Sequence, residues 1–264
     1  MKIGIVDETE EWLPIGGLEP GFDEYKLPAT DEIAGMELKF SFDVDGSITN
    51  YLFRNADSLT WEVLEGPEKG TSGQETYEAI RVAPDIYFVD FLKKSKPGQS
   101  LNIALDLGAG KATLVVGTLV QEQGGPYRVK QDFLHAAINP SSPDEKVIPH
   151  ERSTDLVGKR VKYTYSSTHA YEHVYLNDHR YTWHCLSGPE KGLADTEHCD
   201  CFKIAPDVYL FTWWERVVPC EAVVMINLQE MRSTGKLFGL DTDSGKMINF
   251  TMGSYAKLLN VTTY

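Results

Sequence analysis

Apolar and polar residues alternate with a period of two in many short segments of the chain. In "VKYTY", Val161, Tyr163 and Tyr165 share one face, and "LKFSF" near residue 40 repeats the pattern. The segments "LNIAL" and "AVVMIN" predict further strands, and clusters of Gly, Pro, Asp and Asn interrupt the chain about every ten residues. Helical periodicity is scarce, although "DFLHAAI" (132–138) favours a short turn of helix.

The chain contains an internal duplication. Trp61 and Trp183 lie 122 positions apart, and the same offset aligns the two "GPEKG" segments, "VAPDIY" with "IAPDVY", and Gly117 with Gly239. A repeat of this length indicates two domains that descend from one module.

Each copy predicts a meander of roughly seven to nine antiparallel strands. Closing such a meander into a barrel removes its exposed edges. We therefore predict an all-β chain of two tandem up-and-down barrels. The expected boundaries are an N-terminal arm over 1–33, a first barrel over 34–137, a linker over 138–153 and a second barrel over 154–264.

Composition and charge narrow the function classes. The chain has 264 residues, 42% of them hydrophobic, and a formal net charge of −14. Such an acidic chain is not expected to bind nucleic acid or an anionic membrane surface. We find no apolar run long enough to cross a bilayer and no secretory signal, and expect a cytoplasmic protein. Homo-oligomerisation is left open.

The "GPEKG" loop occurs at the same place in both copies. We interpret it as a turn that both copies inherited. The alternative interpretation is a lid over a pocket at the same rim of each barrel. The loop resembles a phosphate-binding loop only superficially, because its acidic residues, Glu68 and Glu190, oppose an anion.

Differences between the copies indicate where chemistry could reside. The second copy has Tyr163 and Tyr165 where the first has phenylalanines, and Tyr171 where the first has Thr49. Its Glu215 replaces a lysine and alternates with aromatic residues along a predicted strand, so desolvation would raise its pKa and make it a proton donor.

We expect Glu215, Tyr163 and Tyr165 to be catalytic. The predicted substrate-binding residues are Tyr171, His184, Trp183 and Trp213. The alternative is that the tyrosines are ordinary core residues and that Glu215 is solvated at the end of its strand.

The cysteines do not predict a metal site. All four lie in the second copy, and a disulfide framework would be expected in both, so we interpret them as free thiols. Cys199 and Cys201 lie near His184 and His198, but zinc-binding cysteines are usually spaced more widely. We predict neither a metal nor a cofactor.

The second copy resembles the bacterial phenolic acid decarboxylases through "VGKRVKYTY", "YEHVYLNDHRYTWHCLSG" and "IAPDVYLFTWWE". The resemblance implies a lipocalin-like barrel and a cofactor-free mechanism. Paired tyrosines would hold a carboxylate and a glutamate would protonate the alkene, at positions matching Tyr163, Tyr165, Tyr171 and Glu215. An arginine of that family corresponds here to Leu193 or Ala194.

The whole chain is more similar to the MoaF family, through its tandem arrangement and acidic arm. This resemblance implies two lipocalin-like domains and an association with molybdenum cofactor biosynthesis. The leading hypothesis is a lyase or isomerase that acts on a small aromatic or apolar ligand in the second barrel. The alternatives are a non-catalytic binding or accessory protein and, for the first barrel, a purely structural role.

Overall fold

Two eight-stranded antiparallel barrels follow one another in the computed structural model, which describes residues 12–121, 124–142 and 146–263. Each strand pairs with its neighbours in sequence, and the last strand of each barrel pairs with the first. This confirms the predicted all-β fold of two tandem lipocalin-like up-and-down barrels. Among the described residues, no helix is long and apolar enough to span a membrane.

The first barrel consists of β1 (Glu37–Phe42), β2 (Ile48–Phe53), β3 (Ser58–Glu65), β4 (Ser72–Ala83), β5 (Ile86–Leu92), β6 (Gln99–Asp106), β7 (Lys111–Gln121) and β8 (Tyr127–Ile138). A two-residue strand, β9 (Glu151–Arg152), then pairs with β13 (Ala194–Ala205) of the second barrel. The second barrel consists of β10 (Lys159–Thr164), β11 (Ala170–Asn177), β12 (Arg180–Ser187), β13 (Ala194–Ala205), β14 (Val208–Trp214), β15 (Cys220–Asn227), β16 (Arg232–Leu240) and β17 (Met247–Val261).

The helical turn expected at 132–138 is absent, and that prediction was wrong. These residues form the second half of β8, which pairs with β7 along its length and closes the barrel through Phe40 and Ile138. Pairing on both sides outweighs the local helix propensity of Leu and Ala, because tertiary context decides the state of a segment with weak preferences.

The alignment of Gly117 with Gly239 was also wrong, by one residue. The strand registers make Asp106 of the first barrel equivalent to Asn227 of the second, an offset of 121. Gly117 therefore corresponds to Phe238. The segment that joins β14 to β15 is one residue shorter than its counterpart, and this changes the offset.

The barrels pack together through apolar residues on their outer faces. The described contact cluster comprises Val82, Ile86, Phe88, Ala104 and Val115 of the first barrel and Phe202, Ile204, Val208, Leu210, Val223 and Met225 of the second. Strands β5, β6, β14 and β15 are consequently buried on both faces. Such strands lose their alternating pattern and become nearly continuous apolar runs.

A fully buried ion pair lies within this interface. The Nζ of Lys236 is 2.6 Å from Oε1 of Glu221, and both side chains are 0% exposed. Two groups of the first barrel complete the network, because Ser100 donates to Oε1 of Glu221 at 2.8 Å and Gln131 donates to Oε2 at 2.9 Å. A Cβ at Gly117 would collide with this carboxylate, so the first barrel needs a glycine there.

Replacing Lys236 by Met should destabilise the protein by about 3–5 kcal/mol, because Glu221 would keep a buried charge without its cation. The measurement is the free energy of unfolding in urea, monitored by circular dichroism. Lys246→Met is the matched control, since Lys246 is exposed, and should change the free energy of unfolding by less than about 0.5 kcal/mol. Adding Glu221→Gln to Lys236→Met should recover part of the loss. Equal stability of the Lys236 and Lys246 variants would contradict the role of the pair.

Candidate functional site

Both barrels have a cavity at the same end, where the loops after their first, third and fifth strands meet. Five pairs of positions, matched by the 122-residue offset, line both cavities. They are Thr49 and Tyr171, Tyr51 and His173, Trp61 and Trp183, Glu68 and Glu190, and Lys93 and Glu215.

The cavity of the second barrel has a volume of about 40 Å³ and lies among aromatic residues. Its lining includes five of the residues that the sequence analysis named, which are Tyr165, Tyr171, Trp183, Trp213 and Glu215. The fold therefore brings together residues from three strands (β11, β12 and β14) and from the positions directly after β10 and β14, which are up to 50 positions apart.

Glu215 lies directly after β14, half-buried, with its carboxyl on the cavity. Its backbone N–H donates to the carbonyl of Cys220 at 3.0 Å, and the indole of Trp213 donates to Oε1 at 3.3 Å. Burial raises the pKa of Glu215 to about 8, and the nearby carboxylate of Glu190 contributes in the same direction. The group is therefore largely protonated at neutral pH, as a proton donor requires.

Glu190 is a second acid in this cavity, and the sequence analysis did not select it. It belongs to the second "GPEKG" loop, is 6% exposed and accepts a 2.9 Å hydrogen bond from the hydroxyl of Tyr171. Burial raises the pKa of Glu190, while burial and this carboxylate both raise the pKa of Tyr171. The repeated loop is thus a turn that also lines a cavity in each barrel.

His173 also lines the cavity and was not selected from the sequence. Its ring centroid lies 5.5 Å from that of Trp213 and 4.8 Å from that of Tyr163. Burial lowers the pKa of His173 to about 3, so the imidazole is neutral near pH 7. The sequence did contain a signal for His173: it follows Tyr171 by two residues on one strand and therefore shares its face.

Two residues named from the sequence lie away from the cavity lining. Tyr163 lies deeper in the barrel, where its hydroxyl is 2.8 Å from that of Tyr175. His184 lies on the outer face of β12, with Nδ1 2.9 Å from the carboxylate of Glu172. Arg160 binds the same carboxylate.

The N-terminal segment closes the mouth of the second barrel. A short helix, α1 (Ile15–Leu18), places Leu18 in the cavity lining, and Phe22 follows. The ring of Phe22 lies 4.7 Å from that of Tyr165 and 5.6 Å from that of Tyr171. Its carbonyl accepts a backbone hydrogen bond from Gly253 at 3.1 Å. The first eleven residues of the predicted arm lie outside the described residues.

The first barrel has a larger cavity, about 240 Å³, at its own mouth. The ammonium of Lys93 lies 4.3 Å from the ring centroid of Trp61 there. A cavity of this size, with a cation in it, is contrary to the alternative that the first barrel is only structural.

The thiols and acids outside these cavities form no recognisable metal site. Cys185, Cys199, Cys201 and Cys220 are all free and buried. Within the described part of the chain, no group of three or more His, Cys, Asp or Glu side chains is arranged to hold a metal ion.

Comparison with known proteins identifies the family. A crystallised Burkholderia vietnamiensis protein described as a candidate β-lactamase covers 47% of this chain at 14% identity, but its TM-score of 0.32 is too low to inform fold or function. The MoaF N-terminal domain matches residues 10–121, and the MoaF C-terminal domain matches residues 150–262. Protein MoaF of Klebsiella aerogenes is 38% identical over 96% of this chain and 97% of its own length. The chain therefore belongs to the MoaF family.

Proposed function

We propose that the second barrel is the site of a cofactor-independent lyase or isomerase that acts on a small aromatic or apolar substrate. One observation carries this proposal. The carboxyl of Glu215, with a pKa of about 8, shares a cavity with two phenols and a neutral imidazole. A carboxyl whose pKa lies near the working pH can both donate and accept a proton during turnover.

The phenols have distinct roles in this proposal. The hydroxyl of Tyr165 has no hydrogen-bond partner among the described residues, so it is free to bind an oxygen of the substrate. Tyr171 already donates to Glu190 and is held in one orientation. Charge that develops on a substrate oxygen would be stabilised by the hydroxyl of Tyr165 in a site of low polarity, while Tyr171 and Glu190 would fix the shape of the cavity.

Substrate entry requires movement of the N-terminal segment. A volume of about 40 Å³ holds only one or a few water molecules. Phe22 and Leu18 occupy the space next to Tyr165 and Tyr171. The proposed reaction therefore includes displacement of Phe22 when substrate binds and its return before proton transfer, which would exclude water from Glu215.

A second candidate is a non-catalytic binding or accessory protein, consistent with the association of the MoaF family with molybdenum cofactor biosynthesis. One observation favours it. The carboxyl of Glu215 is hydrogen-bonded to Trp213 rather than to Tyr165 or Tyr171. In this candidate the tyrosines only shape the pocket.

Under either proposal, we expect a cytoplasmic protein that binds a small molecule rather than nucleic acid or membrane, as its acidic charge indicates.

Glu215→Gln should abolish turnover while it preserves ligand affinity within a few-fold. The test screens hydroxycinnamates with the full-length protein and follows loss of carbon dioxide by mass spectrometry and binding by calorimetry. Removing a general acid should lower the rate by about 10²–10⁴-fold.

Glu230→Gln is the matched control for this test, because Glu230 is exposed on a turn of the same barrel. Unchanged turnover in the Glu215 variant would remove its proposed role. Ligand binding without any chemical change in the wild type would favour the accessory protein.

The stability of the wild type relative to Glu215→Gln should fall as the pH rises from 4.5 to 8. In that range the folded protein retains a proton on Glu215 that the unfolded chain, with a pKa of 4.5, releases. Below pH 4.5 the two proteins should unfold at similar urea concentrations. Above pH 8 the variant should be more stable by about 1–3 kcal/mol, a value reduced for the partial exposure of the side chain. A stability difference that is constant across this range would show that the pKa of Glu215 is ordinary.

A further inference from the structure

We propose that the first barrel contains a separate binding site for a small monocarboxylate with an apolar body, in which Lys93 supplies the cation. This site is independent of the proposed catalysis in the second barrel.

The ammonium of Lys93 lacks a counter-ion. It is half-buried over the ring of Trp61, and no ion pair joins it to a carboxylate of the described residues. Burial, followed by the charge of Lys96, lowers the pKa of Lys93. A partly desolvated cation of this kind is stabilised when a ligand supplies the missing anion.

The two carboxylates that act electrostatically on Lys93, Glu68 and Glu75, already have other partners. Glu68 accepts from Nζ of Lys96 at 3.0 Å. Glu75 accepts from the indole of Trp61 at 3.2 Å and from the backbone N–H of Lys94 at 3.1 Å. Neither carboxylate therefore neutralises Lys93 directly, and the cavity retains one unpaired positive charge.

The cavity walls fit a small apolar body. Its volume of about 240 Å³ equals roughly eight water molecules, which is the bulk of a small organic acid. The apolar side chains that line it include those of Phe42, Val63, Leu101, Leu114, Val116 and Leu134. Thr49 and Tyr51 add two hydroxyl groups to the same wall.

The rim of the cavity disfavours a second negative charge on the ligand. Asp45 and Glu68 both lie at the mouth, where Glu68 is paired with Lys96 and Asp45 forms no ion pair with the described residues. A dicarboxylate or a phosphate would bring a second negative charge close to Asp45, whereas a monocarboxylate would place its single charge on Lys93.

Lys93 occupies the position in the first barrel that Glu215 occupies in the second. The backbone N–H of Lys93 donates to the carbonyl of Gln99 at 3.1 Å, as that of Glu215 does to Cys220 at 3.0 Å. The two barrels thus place a cation and a largely protonated carboxyl at the same position. Both cavities also contain one member of the matched tryptophan pair, Trp61 and Trp183.

The test uses the full-length protein and ligand-observed NMR with benzoate, cinnamate and hexanoate. Benzamide serves as the uncharged analogue of benzoate, and phthalate as the dianion. We expect at least one monocarboxylate to bind, and both benzamide and phthalate to bind at least about tenfold more weakly than benzoate. Lys93→Met should weaken monocarboxylate binding by about tenfold or more, because it removes a charge-assisted contact but keeps the volume of the side chain.

Lys94→Met is the matched control. Lys94 is the exposed neighbour of Lys93 and is absent from the cavity lining, so this variant should bind like the wild type. Leu114→Trp should fill the cavity and abolish binding while Lys93 remains. Unfolding midpoints of all variants, measured in parallel, identify any loss of binding that comes from misfolding.

Glu215→Gln should leave this binding unchanged, so failure of the second-barrel proposal would not affect it. The proposal is overturned if no monocarboxylate binds to the wild type at about millimolar concentration, the weak limit of useful affinity. It is also overturned if a folded Lys93→Met protein binds as tightly as Lys94→Met, or if benzamide binds as tightly as benzoate.

Discussion

The contact between the two barrels is the constraint on which the rest of the structure depends. An antiparallel barrel normally presents polar residues to solvent on its outer face, yet here the outer faces of both barrels are apolar where they meet. Burial of this surface favours association, and the Lys236–Glu221 pair adds a requirement for one register, because Ser100 and Gln131 must reach the same carboxylate. A shifted contact would leave a charge buried without its partners, which costs several kcal/mol.

This contact leaves free the end of each barrel that holds its cavity. Because the barrels are copies of one module, equivalent positions line the two cavities. Trp61 in the first barrel is equivalent to Trp183 in the second, and Lys93 is equivalent to Glu215. The repeated loop places one glutamate in the lining of each cavity. The two copies differ in how the acid is used. Glu68 is exposed and paired with Lys96, whereas Glu190 is buried and accepts a hydrogen bond from a phenol. One fold therefore supports two different environments, one with a cation and one with buried carboxyl groups among phenols.

The sequence predicted those features that depend on local periodicity or on the repeat. Alternation identified the strands and the shared face of Tyr163 and Tyr165, and comparison of the copies singled out Tyr171 and Glu215. Features that depend on which strands and loops meet in the folded barrels could not be predicted from the sequence. The loop position of Glu190 carries no strand periodicity, and the interface pair joins residues whose proximity requires the register of β15 and β16. The nearly continuous apolar run of "CEAVVMIN" was the available signal that this strand is buried on both faces.

Closure of the mouth of the second barrel and the protonation state of Glu215 depend on each other. The pKa of this carboxyl is raised chiefly by burial, and Phe22 and Leu18 contribute to that burial by occupying the mouth. Displacement of the segment would admit water, and water would lower the pKa toward its ordinary value because it solvates the carboxylate. The acid would thus exchange its proton with bulk water when the mouth is open, and would retain it for transfer to the substrate when the mouth is closed. In the proposed reaction, the N-terminal segment would for this reason take part in the acid–base chemistry of the cavity as well as cover it.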